Sequence, residues 1–101
     1  MICAQFIFKP GAYDEEFYRL DAQIDDFARN LQGFDRTETW LSPERDLVNA
    51  VYYFADTTSL AQLAQFAPHR RAKNEASRWY DGYRIVISEI SATYGDGRLK
   101  A

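Results

Sequence analysis

The apolar positions of this chain follow two spacings, and the changes between them divide it into elements. Ile2 to Phe8 (ICAQFIF) is short, rich in β-formers and stopped by Lys9-Pro10-Gly11, which predicts a first strand. Asp14 then offers an N-cap, and Glu15 and Glu16 place negative charge where a helix dipole favours it. Phe17, Leu20, Ile24, Phe27 and Leu31 recur at steps of three and four, giving one apolar stripe. Asp21, Gln23, Asp25, Asp26 and Arg29 cover the other side, and Gly33 is expected to end the helix as its C′ residue.

Phe34 to Leu41 (FDRTETWL) alternates as a second strand, and Leu47 to Phe54 (LVNAVYYF) reads as a third. The short turn Ser42–Asp46 between them predicts an antiparallel hairpin. Asp56, Thr57, Thr58 and Ser59 supply caps for a second helix, with Leu60, Leu63, Ala64, Phe66 and Ala67 on its apolar side. Pro68 interrupts it, and a helical segment restarts from His69 to about Tyr80, since proline suits a helix's first turn. Asp81-Gly82 is expected to close that segment before a fourth strand, Tyr83 to Ala92 (YRIVISEISA). The order β-α-β-β-α-β predicts an α+β, ferredoxin-like domain: a four-stranded antiparallel sheet with two helices on one face.

The strand pattern also bears on assembly. Ile2, Ala4, Phe6 and Phe8 share one side of the first strand, with Cys3 and Ile7 on the other. Val48, Ala50, Tyr52 and Phe54 oppose Leu47, Val51 and Tyr53, while Tyr83, Ile85 and Ile87 oppose Val86 and Ile90. Both faces of three strands are apolar, so the helix-free face is expected to be covered by a second copy, as a homodimer. A tolerated amphipathic surface is the other reading.

Composition narrows the class. With 101 residues, 47% of them apolar, the chain suits one domain with one core, residues 1–94, followed by a polar and mobile tail, 95–101. A net charge of −3 gives no global attraction to nucleic acid or an anionic membrane. The apolar runs are too short for a bilayer span. A strand-like start without a leader pattern and a single cysteine, Cys3, are consistent with a cytoplasmic protein whose thiol is an inert packed group.

These marks in order — Lys9-Pro10-Gly11, Asp14 to Phe17, Gly33-Phe34, Phe54-Ala55-Asp56, Ser59-Leu60, Pro68-His69, Trp79 with Tyr83, and Ser88-Glu89-Ile90 — make the chain from Ile2 to about Tyr94 similar to the antibiotic biosynthesis monooxygenase-like family of dimeric α/β barrels. The resemblance implies an apolar pocket between helices and sheet, and oxidation of a small aromatic or quinone-type molecule by dioxygen without metal or cofactor. His69, the only histidine, matches the family's second-helix histidine and is the candidate catalytic proton acceptor. Its plain alternative is a solvent-facing residue beside Arg70 and Arg71.

Trp40, Tyr52, Tyr53, Phe66, Trp79 and Tyr83 are candidates to line the pocket, with core or interface packing as the alternative for each. Gln5 and Asn49, amides set in apolar strands, must be paired if buried, by neighbours or by a substrate carbonyl. Arg70, Arg71, Lys73, Arg78 and Arg84 form a basic group, read as a solvated face or the rim of an anion site. The haem-degrading branch needs an asparagine on the first strand and a tryptophan on the second helix. Ala4 and Gln5, then Leu63 and Phe66, stand there, so that branch is disfavoured. A non-catalytic dimer holding a small apolar ligand is the rival reading.

Overall fold

A computed structural model describes residues 1–99; Lys100 and Ala101, the end of the expected tail, lie outside the described residues. The chain runs β1 (Ile2–Pro10), α1 (Glu15–Arg29), β2 (Phe34–Leu41), β3 (Val48–Phe54), α2 (Thr57–Gln65), α3 (Ala67–Asn74), α4 (Ala76–Trp79) and β4 (Tyr80–Glu89). The four strands form one antiparallel sheet in the order β2-β3-β1-β4, the ferredoxin-like arrangement. From Ile90 to Leu99 the chain carries no helix or strand.

Helix α1 starts as expected: Asp14 Oδ1 accepts from the Phe17 backbone N–H at 2.9 Å, with Glu15 and Glu16 in the first turn. It ends earlier than Gly33. Asn30 caps it, and its side-chain amide donates to the Asp26 carbonyl at 2.7 Å. Gly33 is needed for a different reason: a Cβ there would lie 2.1 Å from Ser59 Oγ, so the start of β2 could not approach the first turn of α2.

The second helical arm departs further from the pattern. It breaks at Phe66, where Pro68 opens α3, and again at Glu75. Strand β4 begins at Tyr80, three residues before the expected start, and ends at Glu89. Asp81-Gly82 does not stop a helix but lies inside the strand, where Gly82 pairs with Lys9. The cause is β1, which extends to Pro10: the Gly11 N–H donates to the Trp79 carbonyl at 2.7 Å, and Pro10 pairs with Tyr80 across a register shift.

Register fixes the faces, because directly paired residues point the same way. Phe54 and Tyr52 pack with Ala28, Ile24 and Phe27 of α1 and Leu63 of α2, so the helices lie on their side. Ile2, Ala4, Phe6 and Phe8 share that side, with Tyr83, Ile85 and Ile87 of β4. The expectation that the helices cover this face holds for β1 and β3 and fails for β4. Tyr83, Ile85 and Ile87 are 46%, 49% and 54% exposed. The other face mixes Cys3, Ile7, Val51 and Val86 with Arg36, Glu38, Arg84 and Ser88, and is less apolar than the strand pattern implies.

Candidate functional site between the first helix and the sheet

The helix side of the sheet holds two aromatic groups. In one, Phe66 stacks on Phe27 at 3.9 Å, and Tyr52 lies parallel to Phe54 at 6.3 Å. This group is close-packed core, centred on fully buried Phe54 and Ala28.

The other group surrounds a cavity of about 30 Å³. Phe17, Leu20, Asp21 and Ile24 of α1 form one wall, Ala72 of α3 a second, and Trp79 and Tyr80 the floor. Around it Tyr80 meets Phe6 at 5.2 Å, Phe8 at 4.9 Å, Phe17 at 5.9 Å and Tyr13 at 6.0 Å, and Tyr13 stacks on Phe17 at 3.9 Å. The local cause is the break between α4 and β4, which turns two adjacent aromatic residues inward under α1.

Trp79 is 1% exposed, and its indole N–H donates to Asp14 Oδ1 at 3.1 Å. Arg78 reaches Asp14 Oδ2 at 2.8 Å and Glu16 at 3.3 Å, and Arg71 reaches Glu16 at 2.7 Å. These bonds fasten the start of α1 to α3 and α4 and so fix the distance across the cavity. The Phe17 N–H bond to Asp14 holds that carboxyl below its ordinary range, helped by Trp79 and Arg78. Glu16 is held down likewise, first by Arg71. The basic group of the sequence is therefore partly consumed by ion pairs, and Arg84 stands apart, on the helix-free side of β4.

Polar groups converge beside the rings. Tyr52 Oη donates to Asp25 Oδ1 at 3.1 Å, and Arg29 Nε donates to Asp25 Oδ2 at 2.7 Å. Asp21 as a residue is exposed, and it borders the cavity. Loss of water there, and then the charge of Asp25, raises its pKa. Its charge also bears on Tyr13, Tyr52 and Tyr80, three phenols from the loop before α1, from β3 and from β4. Burial is the main cause that pushes all three phenols above the ordinary tyrosine value.

The residues singled out in the sequence fall into three places. Trp79 lines the cavity; Tyr52 and Phe66 belong to the adjoining core. Gln5 and Asn49 lie on the opposite face, where the Asn49 side-chain N–H donates to Gln5 Oε1 at 2.9 Å and Asn49 Oδ1 is buried without a partner. His69 is half-buried on α3, one turn before Ala72, and is not among the residues that line this cavity; its Nδ1 is buried without a partner. Burial, then the charge of Lys73, lowers its pKa. Sequence reasoning missed Tyr13, Asp21 and Tyr80. Asp21 was assigned to the solvent side of α1, yet it stands four residues after Phe17 and three before Ile24, the spacing that borders the stripe.

No protein-family model matches the chain, and no curated protein matches it. Solved structures match it closely in shape. SnoaB, a cofactor-independent oxygenase from Streptomyces nogalater, superposes with a TM-score of 0.70 at 12% identity, covering 91% of this chain and 94% of that one. A proposed antibiotic biosynthesis monooxygenase from Deinococcus radiodurans gives 0.72 at 10%, covering 94% and 97%. A dabb family protein with a ferredoxin-like fold from Mesorhizobium loti gives 0.63 at 13%, covering 90% and 97%. The chain therefore has the ferredoxin-like fold seen in antibiotic biosynthesis monooxygenase-like and dabb proteins.

Proposed function

We propose that the protein binds a small aromatic or quinone-type molecule at the cavity between α1, α3 and the sheet, and promotes its oxidation by dioxygen without a bound cofactor. The observation that carries this reading is an aromatic-walled cavity with a carboxylate and a phenol at its edge, on a fold shared with a cofactor-independent oxygenase. The protein's part is to hold the substrate, exclude water and accept a proton. The deprotonated substrate passes one electron to dioxygen, and the radical pair joins as a C–O bond. The resulting peroxide takes a proton and loses water, so that a ring CH₂ and O₂ become C=O and H₂O.

His69 is the proposed proton acceptor. It stands three residues before Ala72 of the cavity wall, and its lowered pKa favours the neutral imidazole that can accept a proton. At about 30 Å³ the cavity holds one water-sized group, which argues against haem. The same small volume favours the rival reading, a non-catalytic protein whose cavity holds only part of a ligand.

A homodimer belongs to this proposal. β4 is an edge strand with exposed apolar side chains on both faces, Tyr83, Ile85 and Ile87 on one and Val86 on the other, and a second copy would cover it. The reading is tested by mixing the protein with phenols, hydroquinones and anthrones and following both binding and oxygen uptake. Binding with uptake supports the oxygenase, binding alone the rival, and neither defeats both.

A further inference from the structure

The cavity contains a charge that the oxidation leaves unused. Six of its lining residues, Phe17, Leu20, Ile24, Ala72, Trp79 and Tyr80, present aromatic or aliphatic surface, and Asp21 is the exception. Asp25, one turn along α1, has its charge balanced by Arg29 and also accepts from Tyr52. Among the described residues nothing does the same for Asp21: no cation and no hydrogen-bond donor offsets the two effects acting on it, lost water and the like charge of Asp25. The groups around it are phenols, Tyr13, Tyr52 and Tyr80. An exposed carboxylate with no protein cation or donor on it therefore borders a ring-lined cavity.

The chemistry of that arrangement selects a ligand. An anion would meet Asp21 with the same sign. A neutral ring is too large for the cavity and would offer the carboxylate no charge partner. A protonated nitrogen would form a charge-assisted hydrogen bond to it and gain attraction from the surrounding rings. The size agrees: about 30 Å³ holds one water-sized group, the room an ammonium needs, with the rest of the ligand outside against Tyr13 and Tyr80. We propose that the cavity takes an organic ammonium, its nitrogen on the Asp21 carboxylate and its hydrocarbon part outside, against Tyr13, Phe17 and Tyr80. This rests on the reading of the cavity as a ligand site and narrows its substrate class to ring compounds that carry an alkylammonium group.

The test uses the full chain at pH 7 and three ligands of nearly one shape: benzylammonium, benzyl alcohol and benzoate. Affinities come from calorimetry, and the position from amide shifts in nitrogen-15 spectra. Benzylammonium should bind at least ~10-fold tighter than benzyl alcohol, with benzoate weakest, as a charge-assisted contact requires. Asp21→Asn should remove that preference, and Asp21→Glu, which keeps the charge, should retain much of it. Equal affinity for the ammonium and the alcohol, or a preference that survives Asp21→Asn, overturns the proposal. Shifts at Phe17 and Tyr80 without preference for the cation would defeat the ammonium alone. No binding by any of the three would defeat the cavity reading as well.

Discussion

Replacing Trp79 separates the fold's need for the cavity floor from the function's need for it. The residue is 1% exposed, packs edge-on to Phe17 at 5.5 Å and donates its indole N–H to Asp14 at 3.1 Å. Trp79→Ala removes the floor and should cost about 3–5 kcal/mol, the usual price of truncating a buried aromatic residue. At roughly 4–8 °C per kcal/mol for a domain of this size, the melting temperature should fall by at least ~12 °C. Trp79→Phe keeps a ring against Phe17 and loses the donor. Because Asp14 is exposed and turns back to water, the main loss is ring area, about 1–2 kcal/mol at ~25 cal/mol per Å². Urea unfolding at constant m-value reads both. Trp40, the other tryptophan, is 60% exposed, so the variants should also lose the blue-shifted part of the fluorescence. A cost below about 1 kcal/mol for Trp79→Ala, typical of a surface site, would refute the packing described here.

The buried phenols of Tyr52 and Tyr80 should titrate well above the free tyrosine value in an ultraviolet titration. Since their folded pKa values exceed the unfolded one near 10, stability should fall as pH rises through about 10; normal titration of all seven tyrosines in the folded state would contradict this. Val86→Arg should reduce the mass seen by light scattering from dimer to monomer, whereas Val51, 4% exposed within one chain, offers a partner no surface; a monomeric parent protein would defeat the dimer. His69→Ala should lower turnover by roughly 10²–10⁴-fold with little change in stability, and in the parent the acidic limb of the rate profile should fall below pH ~6.5, because the folded pKa is lowered. Unchanged turnover would remove His69 from the mechanism.

Periodicity made most of the fold legible. The stripe from Phe17 to Leu31, the Asp14 cap and the hairpin between β2 and β3 all express local rules that tertiary contacts reinforce. The end of the second arm did not follow local rules. Asp81-Gly82 resembles a helix stop, but the pairing of Pro10 with Tyr80 recruits it into β4, a contact between residues seventy apart in sequence. The site was partly legible for the same reason. Trp79 stood out as a large aromatic residue, whereas Tyr80 became a cavity residue only because the strand starts there. Asp21 was hidden because a carboxylate beside an apolar stripe has the same pattern whether it meets water or a ring. The amides of Gln5 and Asn49 were rightly expected to need partners, and they found each other on the face away from the cavity.

Oxygen uptake by the chelator-treated protein with a panel of anthrones and hydroquinones, some bearing an amine, tests the central claim most directly. The account predicts stoichiometric consumption of dioxygen with formation of the oxidised ring, persisting without metal or flavin and competed by ligands that shift the amides of Phe17 and Tyr80. Ligand binding at that cavity with no uptake above the uncatalysed rate for any member of the panel would contradict it.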